Sequence, residues 1–153
     1  MELLKLLVSN YFIDVAVISW FSAQLIKTLL FYLQNGILQA ERMVGAGGMP
    51  SAHSAFVCSI TIAIAKKVGY SSPEFALALA FACVVMYDAM GVRRETGKQA
   101  KLLNSVFFEN ILNLDGVFLQ EKLKEYVGHT PLQVAAGAIL GILIAVLILV
   151  LLA

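Results

Sequence analysis

The chain has 153 residues, of which 60% are hydrophobic and only 14% charged, and its mean hydropathy is +0.86. A soluble domain of this size needs far less apolar material for its core, so the composition predicts an integral membrane protein. A net charge of +1, with no basic run or stripe, gives no reason to expect nucleic acid or an acidic macromolecule as partner.

The N-terminal stretch MELLKLLVSN has no strongly basic region and no clear small-residue cleavage site, so the first apolar segment reads as a retained span. Spans are expected near 11–33, 51–66, 73–90 and 132–153, with an amphipathic segment over 98–127. The first, 11–33, would be about 34 Å long as a helix, enough to cross roughly 30 Å of hydrocarbon. Gln24, Lys27 and Gln34 share one of its faces near the C-terminal end. Lys27 can snorkel to the interface or serve a site.

A polar connector with Glu41 and Arg42 leads into GGMPSAHSA, residues 47–55. Two glycines and a proline stop any helix there, and small hydroxyl residues around His53 open the second apolar segment. Gly48 lets the backbone approach a ligand, Pro50 suits a first turn, and the free N–H groups of that turn attract an anion. Ser51, Ser54, Cys58 and Thr61 make a weakly polar stripe of the kind that faces other helices. Cys58 and Cys83 both lie in apolar segments and read as packed thiols rather than a disulfide or metal pair.

The third span ends in YDAMGVRRETGKQ. Asp88 at the edge of a span needs a cation, and Arg93 and Arg94 follow it, so an ion pair is expected. On an unbroken helix the arginines point away from Asp88. A break at Gly91 or Gly97 brings them together. Beyond Lys101 the charges read as one or two interfacial helices with Leu102, Leu103, Val106 and Phe107 dipping inward. Then Gly128-His129-Thr130-Pro131 repeats the earlier device at the start of the last span, where Gly137 and Gly141 form a GxxxG pair. Such a pair suits close helix packing or a homodimer.

If four spans alternate, Lys27, His53, Asp88, Arg93 and His129 all fall on one membrane face. A chance scatter of misplaced polar residues would not segregate so cleanly. Two histidines, several fixed cations and helix N-termini suit a phosphate group, because phosphoryl transfer requires charge neutralisation and an in-line nucleophile. One imidazole can attack phosphorus while the other protonates the leaving oxygen. There is no HExxH, no paired cysteines and no cluster of carboxylates for magnesium, and the GxSxG elbow is missing.

The blocks GGMPSAHSA, YDAMGVRRETGKQAKLLN and GHTPLQVAAG, in this order, resemble the divergent membrane branch of the type 2 phosphatidic acid phosphatase superfamily, also labelled acid phosphatase and vanadium-dependent haloperoxidase related. The resemblance implies a metal-independent, cofactor-free reaction on a lipid phosphate. It further implies Lys27 as a phosphate ligand, Ser51 and its backbone as donors, His53 as general acid, and His129 as the nucleophile that becomes transiently phosphorylated. The chain departs from the superfamily pattern at Gln34, Ala52, Leu123 and Gln133, where an arginine, a glycine, a second arginine and a carboxylate are expected. Arg42, Arg93 or Arg94 would replace the missing arginines. Gln133 can still fix the tautomer of His129, and Asp88 would supply the missing negative charge.

The sequence therefore points to an all-helical membrane phosphatase acting on a phosphatidylglycerophosphate or phosphatidic acid. An isoprenoid diphosphate phosphatase and a non-catalytic phosphate-lipid-binding protein are the alternatives. Eight of the eleven lysines and arginines fall on the site's side (Lys27, Arg42, Arg93, Arg94, Lys98, Lys101, Lys122 and Lys124), against Lys5, Lys66 and Lys67 opposite. That asymmetry predicts a site facing the cytoplasm from the cytoplasmic membrane.

Overall fold

The computed structural model describes residues 10–37, 48–108, 123 and 128–151, and all regular elements among them are helices. They are α1 (Tyr11–Asn35), α2 (Ala52–Lys67), α3 (Pro73–Met90), α4 (Val92–Phe108) and α5 (Pro131–Leu151). Arg42 lies outside the described residues, as do Lys5, Lys122 and Lys124.

The first three helices each start on a side-chain cap. The Asn10 side chain accepts from the backbone N–H groups of Phe12 and Ile13, Ser51 accepts from Ser54, and Ser72 accepts from Phe75 with Pro73 at the first helical position. At the other end of α1, Gly36 stands at φ +69° and donates to the Tyr32 carbonyl, a left-handed stop that glycine adopts without strain.

Among the described residues, three helices are long and apolar enough to cross a membrane: α1, the stretch Pro73–Val106 that joins α3 to most of α4, and α5. The segment expected as a fourth span is α2. At 16 residues it is about 24 Å long, short of a full crossing. It is nonetheless the centre of the packing. Ala52, Ser54, Ala55, Val57, Ser59, Ala63 and Ala65 are all buried, and so is the expected stripe of Ser51, Ser54, Cys58 and Thr61.

Small residues explain how the neighbours come so close. A methyl group on Gly137 would strike the carbonyl of Ser51, and one on Gly141 would strike that of Ala55, so α5 lies directly on the α2 backbone. The GxxxG face is thus filled by the chain's own helix, and a homodimer through α5 would have to use another of its faces. Val15 of α1 packs with Ala63 and Ala145 at one level, and Ala23 with Ala52 and Ala55 at another. Val57, Cys58 and Ala82 join α2 to α3, with the Cys58 thiol 3.8 Å from the Met86 sulfur. Cys58 and Cys83 are both free thiols, the first buried and the second exposed.

The amphipathic segment begins earlier than expected, at Val92, immediately after a turn at Gly91. Gly97 sits inside α4, so Gly91 makes the break. The buried positions of α4 include Ala100 and Asn104, whereas Leu102 and Leu103 are exposed. Asn104 pairs with both backbone groups of Leu123, each at 2.9 Å, and so ties the connection after α4 back onto that helix.

Candidate functional site

The two ends of the bundle carry different chemistry. At one end Lys67 lies over the Tyr11 ring and Lys66 over Tyr70, so the start of α1 meets the end of α2. Because α1 and α3 run opposite to α2 and α5, the opposite end gathers the C-terminal part of α1, the N-termini of α2 and α5, and the α3–α4 turn. These are the places where the sequence put Lys27, His53, His129, Asp88 and Arg93.

Lys27 is only 4% exposed. Its ammonium donates to the Gln24 side-chain carbonyl at 2.7 Å, one turn back on the same helix face. Gly48, at φ +82°, rests against its stem: a Cβ there would come within 3.2 Å of Lys27 Cγ. The glycine is needed both for its left-handed backbone and for this approach. Ser51 then caps α2, accepting from the Ser54 N–H and, at 3.0 Å, from the Ser54 hydroxyl. Its own N–H donates to the Gln133 carbonyl of α5 at 3.0 Å, which binds the starts of α2 and α5 to each other.

His129 is 4% exposed, and its backbone N–H donates to the Ala89 carbonyl at the end of α3. Just before it, Gly128 lies against the backbone of Arg93 and Arg94, where a methyl group would collide. The ring is held by Gln133. The Oε1 atom of Gln133 is 3.3 Å from Nδ1 of His129 and 3.0 Å from the Thr130 N–H. A backbone N–H can only donate, so the amide atom facing it is the acceptor oxygen. Nδ1, meeting that same oxygen, then carries the proton, which leaves a lone pair on Nε2. The Thr130 hydroxyl in turn accepts from the Gln133 N–H at 3.3 Å, completing a capping box at the start of α5.

Charge around His129 favours its neutral form. Burial pushes its pKa below the ordinary histidine value, the Gln133 contact raises it, and the positive charges of Lys27, His53 and Arg93 lower it further. His129 thus lies within electrostatic reach of the other three.

Asp88 and Arg93 meet at 2.6 Å across the Gly91 break, as an exposed pair. Asp88 therefore pairs with Arg93, while the nitrogen of His129 that a carboxylate would hold is taken by Gln133. Arg94 joins the site through its backbone, beneath Gly128, and its side chain is exposed. Two contributors, Thr130 and Gln24, were named in the sequence without a role in the site. Thr130 was legible as the first residue of a T-x-x-Q cap, and Gln24 as a polar residue one turn before Lys27.

His53 is exposed at the first turn of α2 and lines a groove of about 380 Å³. The remaining lining is apolar: Val17 and Trp20 of α1, Phe56 and Val57 of α2, Phe81 and Val85 of α3.

The sequence profile of the divergent PAP2 family matches residues 8–144. A Bacillus subtilis (strain 168) protein described as "Uncharacterized membrane protein YuiD" is 36% identical over 135 residues, covering 82% of this chain and 85% of that protein. No solved structure matches. With the profile spanning nearly the whole chain and all three polar blocks, this integral membrane protein belongs to the divergent PAP2 family.

Proposed function

We propose that the chain is a metal-independent membrane phosphatase that hydrolyses a lipid phosphate monoester, of the phosphatidylglycerophosphate or phosphatidic acid type, through a phosphohistidine. The observation that carries this reading is the contact of buried His129 with Gln133: Nδ1 faces the oxygen that the Thr130 N–H fixes, which supports a proton on Nδ1 and leaves Nε2 as the nucleophile. Membership of the divergent PAP2 family supports a phosphatase-related role.

In the reaction, Nε2 of His129 attacks phosphorus as the bond to the lipid oxygen breaks. His53 gives that oxygen its proton, so the lipid leaves as an alcohol. His53, now neutral, takes a proton from water, whose oxygen attacks the phosphohistidine and releases inorganic phosphate. Lys27, Arg93 and the Ser51 end of α2 neutralise the phosphoryl oxygens throughout. Gly48 leaves room for the phosphate beside Lys27. Arg42 and Arg94 are further cations for the headgroup. The excess of lysine and arginine in the segments that the sequence assigns to the site's side supports a site facing the cytoplasm from the cytoplasmic membrane.

The test is phosphate release from phosphatidylglycerophosphate and phosphatidic acid in mixed micelles containing EDTA, comparing wild type with His129→Ala and His53→Ala. Release that persists in EDTA and is lost in both variants is the expected result. Release abolished by EDTA, or undiminished in His129→Ala, would sink the mechanism. Turnover of prenyl diphosphates alone would reassign the substrate.

A further inference from the structure

We infer that the groove between α1, α2 and α3 is the seat of one acyl chain of the lipid whose phosphate occupies the polar end, so that the chain selects its substrate by headgroup and tail together. The inference rests on the lipid-phosphate reading above and extends it to a second binding site.

Three features of the groove point to this occupant. From His53 the lining steps away by about one turn on each helix: to Phe56 and Val57 on α2, from Trp20 to Val17 on α1, and from Val85 to Phe81 on α3. The helices run in alternating directions, so these steps all lead from the polar end toward the middle of the bundle. A chain entering there meets only apolar side chains below His53, which suits methylenes and excludes a polar group. Secondly, Val17 and Phe81 are exposed, at 49% and 61%, so the groove is open at its side. In a membrane that side faces lipid, and an acyl chain can slide in laterally without its headgroup leaving the interface. Thirdly, the polar end is positive. Gly48 packs on the Lys27 stem and Gly128 on the Arg93 backbone, which brings both cations to the end where His53 and His129 stand and favours an anionic headgroup at the mouth of the groove. A volume of about 380 Å³ falls at the small end of ligand pockets, which fits one chain better than two.

The sequence contains a single tryptophan, Trp20, and it lines this groove. Its fluorescence therefore reports occupancy directly. The full-length His129→Ala chain, which lacks the proposed nucleophile, is placed in phosphatidylcholine vesicles and titrated with phosphatidic acid carrying one dibrominated acyl chain. Phosphatidylcholine with the same brominated chain is titrated in parallel. The expected result is half-maximal quenching at a mole fraction at least fivefold lower for the phosphatidic acid, with the preference reversed by unbrominated phosphatidic acid. Val85→Phe, which fills the groove, should abolish the preference, whereas Leu143→Phe on the exposed face of α5 should leave it intact.

Equal quenching by the two headgroups would overturn the inference, because the groove would then be ordinary lipid-facing surface. Displacement by farnesyl phosphate at lower concentration than by unbrominated phosphatidic acid would also overturn it, in favour of a prenyl chain. Since the readout is binding, a wild type that releases no phosphate would defeat the phosphatase reading and leave this one standing.

Discussion

Gln133 holds His129 through an oxygen that the Thr130 backbone fixes in place, with contacts of 3.3 Å and 3.0 Å. The relationship joins a helix cap to the tautomer of His129. An amide in this position orients the ring as a carboxylate would, but it adds no charge to balance an imidazolium. The site therefore favours neutral His129 more than a carboxylate partner would allow.

Replacing Gln133 by Glu should raise the pKa of His129, because a negative charge beside the ring stabilises its protonated form. The acid limb of kcat/KM should move to higher pH by about one unit. Gln133→Leu removes the orienting oxygen and one arm of the cap. Its turnover should fall by about a hundredfold or more, by analogy with triads whose histidine loses its tautomer. Comparing pH profiles of the two variants checks both, and coincident profiles for Gln133→Glu and wild type would refute the contact's role.

The pH dependence of the wild type has a definite sign. His129 must be neutral to attack, and burial with nearby cations sets its pKa below the ordinary value near 6.5. Phosphoenzyme formation should therefore persist as pH falls through 6.5 and fail only below it. Lys27→Met removes one of those charges, so the limb should shift upward while KM rises. The same depressed pKa means that neutral His129 is compatible with the fold and protonated His129 opposes it. That contribution to stability is present above the unfolded-state value and is lost as pH falls toward the folded one. Rapid-quench detection of acid-labile phosphoprotein across pH 5–8 would measure the attacking step.

The Asp88–Arg93 pair is exposed, so Asp88→Asn should change thermal stability by less than about 1 kcal/mol. If the pair aims Arg93 at phosphate, KM should rise several-fold with kcat nearly unchanged. A large fall in kcat would instead give Asp88 a direct part in the chemistry of His129.

Gly128, Gly137 and Gly141 each lie where a Cβ would collide with backbone atoms. Substitution by alanine should destabilise the chain by about 1–3 kcal/mol at each position, the usual cost of overpacking a close contact. Gly128→Ala should in addition depress turnover in the folded fraction, since it separates the His129 loop from the α3–α4 turn. Detergent-solubilised thermal unfolding, paired with activity per folded molecule, separates the two effects.

Much of this was legible in the residues alone. Apolar run lengths gave the helices, the glycines and proline of GGMP gave the break before α2, and the alternation of spans placed Lys27, His53 and His129 at one end. These features are local or follow from chain direction, and local rules read them. What the tertiary structure decided are choices between partners that local rules leave open. Asp88 could have paired with Arg93, Arg94 or His129, and only the fold at Gly91 selects Arg93. Gly137 and Gly141 could have faced another copy of the chain, and the packing of α5 spends them on Ser51 and Ala55. The length of α2 is a sequence property, but its place at the centre is not, because a short helix is buried only when others surround it. The groove beside His53 exists for the same reason, as a space bounded by three helices that no one segment encodes.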